Sequence, residues 1–267
     1  MQPGSDEPVG SSLLASFDPL IPSNQAGDRM KSFCKFSFSS TLALTVLLAT
    51  YGGTMAFAAD PLKDVLAKLD ASAQNFKSAQ ADINWDTVET APVPDTVKQV
   101  GTVVFERKNG EMQVAIHLKT NNGQPAPKDI VYAGGIGKEY EGRIKQLQIF
   151  HVGDKKEELE TFLTLGFGGS GANLEKSWNM NYVGTEQVNG VSAAKLQLAP
   201  RDPNLVKSAP KVLLWIDTSK GVALKQQRFD ADGNYVVLTY SNIRVNASVP
   251  SGAFDIKTAP GTQTINH

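Results

Sequence analysis

Arg107 is the first residue whose placement invites chemistry. It follows Val103 and Phe105 at a spacing of two, and strand side chains alternate with that period. A guanidinium in line with two large apolar residues has two readings. The strand ends there and Arg107 reaches water, or a charged donor sits at the rim of an apolar hollow. The pattern alone leaves both open. Three histidines, His117, His151 and His267, are not spaced as metal ligands, and His117 and His151 are expected on the wet faces of strands. Asp230-Ala231-Asp232-Gly233-Asn234 shares its start with a calcium loop but lacks the later bidentate glutamate, and a hairpin turn explains it. Gly166, Gly168 and Gly171 match G-x-G-x-x-G, but they follow a helical stretch and open no βαβ unit, so a hinge between two short helices is expected. No G-x-S-x-G nucleophile is present, and the single cysteine is Cys34. No pair of carboxylates stands out for acid–base work, which leaves a hydrolase using buried carboxylates as a distant third reading.

The elements that position these groups follow from two periods. Leu62, Val65, Leu66, Leu69, Ala73 and Phe76 form one apolar stripe of a helix over 60–77, with Asp60 as N-cap and Pro61 at the first helical position. From Ala79 the period becomes two: Ala79, Ala81, Ile83 and Trp85 alternate with Gln80, Asp82, Asn84 and Asp86. A hairpin follows, turning at Lys108-Asn109-Gly110, with Met112, Val114, Ile116 and Leu118 on the apolar face of its second strand. A polar connection is expected over 120–128. Strands are expected around 138–141 and 146–152, the latter with Leu147 and Ile149 on one side. An amphipathic helix over 155–165 presents Leu159, Phe162 and Leu163 and leads through the glycines to a second short helix at 172–178. Then come strands about Asn189-Gly190, a three-strand meander over 212–245, and a tail with Phe254 and Ile256.

Nothing alternates strand with helix as a parallel doubly wound sheet requires. The fold class is mainly β (α+β): a strongly curved antiparallel sheet or incomplete barrel whose apolar concave face is covered by helices. A barrel larger than its own side chains can fill encloses a ligand cavity. Turned inward, the strands offer Ile83, Trp85, Val103, Phe105, Met112, Val114, Ile116, Leu147, Ile149 and Trp215, and the helical insertion adds Phe162, Leu163 and Phe167. Each alone reads as ordinary core. Together, in an exported chain with no visible catalytic apparatus, they point to a lipid-binding cavity.

The N-terminal part is not counted as fold. Lys31 and Lys35 precede an apolar stretch from Phe36 to Ala49, and Ala56-Phe57-Ala58 is an A-x-A site. That is the plan of a secretory signal peptide over 30–58, opened by the second methionine, Met30. The apolar run is too short for the roughly 20 residues of a membrane span. Residues 1–29 read as a disordered upstream extension, as sequence ahead of the true start, or as an extended signal. Residues 59–267 suffice for one domain, soluble, exported and without disulfides. With 26 basic and 27 acidic residues, a net charge of -1 argues against a dedicated nucleic-acid binder.

The chain resembles the LolA-type periplasmic carriers of outer-membrane lipoproteins. The resemblance rests on the leading helix and the strand FKSAQADINWDTV, and on Gly101 to Arg107 with the turn and strand after it. It rests further on DIVYAGGIGKEYEGRIKQLQIF, the helical insertion, and the closing run from Trp215 to Ile256. It implies an incomplete antiparallel barrel closed by helices and a non-enzymatic monomer without cofactor or metal. The implied partners are acylated lipoproteins, an ATP-driven releasing complex in the inner membrane and an outer-membrane lipoprotein receptor. The family's cavity arginine, which holds the lid shut, falls on Arg107; Lys108 stands where the family usually has proline. A general lipid carrier, or an envelope-stress sensor of the same fold, is the alternative.

Overall fold

The computed structural model describes residues 60–153, 160 and 162–267. The expected upstream stretch, the signal peptide with Met30, Cys34 and Ala56 to Ala58, and residues 155–159 and 161 of the expected insertion helix lie outside the described residues. Helix α1 (Pro61–Asn75) starts as its sequence dictates: Asp60 Oδ1 accepts from the Leu62 N–H at 3.0 Å, and Val65, Leu66, Leu69 and Ala73 are buried. It is followed by β1 (Ser78–Glu89), β2 (Asp95–Lys108), β3 (Glu111–Asn121), β4 (Gln124–Ala133), β5 (Ile136–Glu141) and β6 (Gln146–His151). After the insertion come α2 (Gly171–Ser177), β7 (Trp178–Val188), β8 (Val191–Pro200), α3 (Pro203–Ser208), β9 (Lys211–Asp217), β10 (Val222–Phe229), β11 (Tyr235–Val245) and β12 (Gln263–Asn266).

All twelve strands form one strongly curved, open sheet, ordered β12-β6-β5-β4-β3-β2-β1-β11-β10-β9-β8-β7. β1 joins two meanders, pairing with β2 on one side and β11 on the other. Short turns make the meanders. Asn109-Gly110 and Asn189-Gly190 take positive φ at both residues, as a two-residue hairpin requires. So do Asn122 (φ 48°) and Gly123 (φ 76°). The expected polar connection over 120–128 is therefore a third such hairpin, with β3 and β4 running into it. Among the described residues no helix is long and apolar enough to cross a membrane.

The sheet has two faces. The inner one carries Ile83, Val103, Phe105, Val114, Leu196, Leu214 and Ile216 in one apolar cluster with Val65, Leu66 and Leu69 of α1. The outer face is crossed by the C-terminal segment, which the sequence led us to expect only as a tail with one apolar pair. Ser78 Oγ donates to Ala247 O at 2.7 Å, Gln80 Nε2 to Ser248 O at 2.8 Å, and Ala259 N to Tyr140 Oη at 3.0 Å. The segment then adds β12 to β6 in parallel, against the all-antiparallel expectation. A long connection over the outer face permits this, because a parallel neighbour needs a crossover and not a hairpin.

His117 sits under this strap and is not on a wet face. Its Nδ1 faces Asp129 Oδ1 at 2.7 Å and its Nε2 faces Ala253 O at 3.2 Å. Both neighbours accept, so the ring satisfies both only as an imidazolium. The Asp129 hydrogen bond is the main cause that raises the His117 pKa; desolvation opposes it, and the Asp129 charge and the Ala253 carbonyl add to the rise. Asp82 and Arg244 line the same outer hollow. A folded-state pKa above the unfolded one gives stability that is complete below about pH 6.5 and lost as pH rises through the folded value. The thermal midpoint is therefore expected to fall between about pH 6 and pH 8, and His117→Gln to abolish that slope. Unfolding followed by circular dichroism at a series of pH values checks this; an equal slope in the variant would assign the dependence elsewhere.

Candidate functional site

The inner face and the insertion meet in one apolar site. Ile83, Trp85, Val103, Phe105, Met112 and Val114 are buried in the main cluster; Ile116, Phe162 and Leu163 pack against it. Phe167, in the Gly-rich run, is fully buried there. Its ring stacks on Phe105 at 4.3 Å between centroids and meets Tyr240 edge-on at 4.9 Å. Phe162 meets Trp178 edge-on at 5.3 Å. The insertion thus occupies the apolar face with its own aromatic rings.

Polar ties from three strands hold it there. Arg107 is not at a frayed strand end, since β2 continues to Lys108 and the Arg107 N–H donates to Lys77 O at 2.7 Å. Its Nη1 donates to Ala73 O at 2.9 Å and its Nη2 to Gly168 O. The guanidinium also lies 5.6 Å from the centroid of the Phe76 ring, within cation–π range. One side chain therefore bridges the last turn of α1 and the insertion. On β10, Gln226 Nε2 donates to Leu165 O, and the Ala223 N–H donates to Gly166 O at 2.7 Å. On β4, Tyr132 Oη donates to Glu160 Oε1 at 3.3 Å. Burial raises the Tyr132 and Tyr240 phenols, Glu160 adding to the rise at Tyr132, so both stay neutral donors at neutral pH.

The glycines are not a loose hinge. Gly166 has φ +88°, and a Cβ there would stand 2.2 Å from the Ala223 Cβ. Gly168 has φ +73°, with the Phe76 ring 2.5 Å from the place of a Cβ. Both sit where only glycine permits the backbone conformation and the close approach. Gly166→Ala is expected to cost on the order of 2–4 kcal/mol from the left-handed backbone and the overpacking together. The Ala223 amide, bonded to Gly166 O, should exchange with deuterium correspondingly faster; unaltered protection would show that the insertion accommodates the methyl group.

Three expected cavity residues face elsewhere. Leu147 and Ile149 pair with Tyr140 and Lys138, on the face crossed by the C-terminal segment. Gln148 and Glu139 are the ones in line with inner-face Ile130. The strap gives the outer face apolar neighbours of its own, so an apolar phase in β6 does not mean inward. Trp215 belongs to a second cluster with Val188, Ala193 and Leu224. Its Nε1 donates to Glu186 Oε2 at 2.7 Å, and Lys195 and Lys225 stand 4.8 and 4.5 Å from its ring. Lys195, then Trp215, hold the Glu186 carboxyl below its ordinary value. β9 is apolar on both faces, so period two supplies no phase there.

Sequence reasoning missed Tyr132, Gln226, Tyr240 and Arg228 as inner-face groups. Arg228 pairs with Val212 and Val236, both on the inner cluster, and burial pushes its guanidinium down to about 10 against the pull of Asp230. Only the alternation of Gln226 and Arg228 with Gln227 and Phe229 could have signalled them, and in that stretch both phases are polar. An opening of about 310 Å³ remains between Arg107, Met112 and Glu160 on one side and Leu174 and Ser177 on the other. A larger hollow of about 720 Å³ lies on the outer face, lined by Gln80, Asp82, His117 and Arg244 together with the apolar Val104 and Ile243. Asp230 Oδ1 accepts from the Asp232 and Asn234 N–H groups, both at 2.9 Å, as a hairpin turn does. Among the described residues no group of three or more His, Cys, Asp or Glu could hold a metal ion.

No family model and no curated protein matches the chain. Solved structures do. An uncharacterized conserved protein from Thermus thermophilus aligns with 78% of this chain and 99% of its own, at 10% identity and a TM-score of 0.48. LprF from Mycobacterium bovis aligns with 71% of this chain and 95% of its own, at 16% identity and a TM-score of 0.42. The LolA superfamily protein from Nitrosomonas europaea aligns with 73% of this chain and 97% of its own, at 15% identity and a TM-score of 0.35.

Proposed function

We propose that this protein is a non-enzymatic carrier that shields the acyl chains of lipoproteins and moves them from the inner to the outer membrane. The observation that carries the reading is the inner face itself: a large apolar surface covered by a segment that a handful of polar ties hold down. Burying a methylene is worth about 0.8 kcal/mol, so one sixteen-carbon chain carries on the order of 12 kcal/mol. Two or three such chains do not leave a membrane unaided. A carrier must shield them and still release them, and a lid held by a few hydrogen bonds opens within a few kcal/mol.

In this reading residues 30–58 are removed on export, and 59–267 act in the periplasm as one monomeric domain. α1 and the insertion cover the cavity, and Arg107 is the latch. Cargo arrives from an ATP-driven releasing complex and passes to an outer-membrane receptor. Native mass spectrometry of the protein purified from periplasmic extract tests it. Co-purifying acylated lipoprotein is the expected result. Free lipid alone would make the protein a general lipid carrier, and a protein that never carries lipid would overturn the proposal.

A further inference from the structure

Trp178 opens β7 at its junction with α2 and is fully buried in the inner cluster. Its indole Nε1 has no hydrogen-bond partner. A buried donor left unpaired costs about 1–3 kcal/mol, and such groups are rare enough in native structures that each calls for a reason. Trp215 shows the contrast: its indole N–H is satisfied by Glu186. The ring lies in the apolar inner cluster, edge-on to Phe162 at 5.3 Å between centroids, and no acceptor there reaches its Nε1. The Phe162 ring supplies packing and no lone pair.

We infer that the Trp178 indole N–H reads the cargo, donating to the carbonyl of the ester or amide that joins an acyl chain to its headgroup. This rests on the carrier reading. The opening beside Arg107 ends at Leu174 and Ser177, one residue short of Trp178. An acyl chain entering there displaces the insertion, Phe162 with it, and brings its carbonyl to the indole donor that is both fully buried and unpaired among the described residues of the inner face. An ether-linked alkyl chain lacks that carbonyl and offers only the weaker ether oxygen. Trp178 is thus a specificity-determining residue that separates acyl from alkyl lipids, while the apolar cluster binds both alike.

The test compares two probes below their micellar concentrations: 1-palmitoyl-lysophosphatidylglycerol and its 1-O-hexadecyl ether analogue. The full mature chain is expected to bind the ester about three to ten times more tightly, the range set by one net hydrogen bond. Trp178→Phe should erase that preference, the ratio of ester to ether affinity falling to about one. In the unsubstituted protein the indole ¹H–¹⁵N resonance of Trp178 should move downfield with the ester only, which decides the matter even if the variant fails to fold. Equal affinities for both probes in the unsubstituted protein, a preference that survives Trp178→Phe, or an indole resonance indifferent to the ester would each overturn the inference and leave the carrier reading standing. Binding of neither probe would overturn both.

Discussion

Arg107→Leu is expected to leave the fold intact and to disable delivery. The substitution keeps apolar bulk beside Phe76 but removes the donors to Ala73 O and Gly168 O. Hydrogen bonds from a charged group are worth about 1.5–3 kcal/mol each. Losing both shifts the closed-to-open balance by on the order of two to four powers of ten. The insertion then spends more time away from the inner face. An environment-sensitive dye such as ANS should bind more strongly to the variant, while the far-ultraviolet circular dichroism stays that of the parent. A reconstituted transfer assay should show cargo taken up and not handed on, because closure no longer helps to expel the chains. Normal transfer together with unchanged dye binding would remove the latch role from Arg107 and leave it a structural tie.

Phe167→Ala is the second large effect. Phe167 is fully buried between Phe105 and Tyr240, and truncating a buried phenylalanine costs about 3–5 kcal/mol. The same ring occupies the surface that an acyl chain would cover. Its removal is therefore expected to lower the denaturant midpoint and, at the same time, to tighten binding of a fluorescent palmitoyl probe by about tenfold or more, because less of the closed state has to be displaced. The opposite signs make the result diagnostic. Weaker stability with weaker probe binding would mean that Phe167 helps to build the cavity and does not compete for it.

How far the chain can be read without its structure depends on the range of the interaction. The N-cap at Asp60, the apolar stripe of α1, the alternation in β1 and the turns at Asn109-Gly110 and Asn189-Gly190 are all local, and all stand in the structure as read. The same signal stands at Asn122-Gly123, where polar flanks give no apolar alternation to frame it as a hairpin. Phase failed where an outer face has apolar neighbours of its own: Leu147 and Ile149 lie on the face crossed by the strap, and Trp215 lies in a strand apolar on both sides. The glycines illustrate a third limit. Their spacing suggested a hinge, whereas the packing of Ala223 and Phe76 against their backbones makes them points of close approach.

The sequence by itself determined the class: mainly β, with one leading helix, one helical insertion and an apolar face, since period, caps and turn residues act over a few positions. It also marked Arg107 as anomalous. Only the tertiary structure decided what Arg107 does with its charge. Its two acceptors, Ala73 O and Gly168 O, are backbone atoms 34 and 61 residues away. Every residue has a carbonyl, so no side-chain pattern announces which of them a guanidinium will reach. The curvature of the sheet brings the end of α1, the rim of β2 and the Gly-rich run to one place, and that convergence turns an odd residue in a strand into the tie that joins helix and insertion.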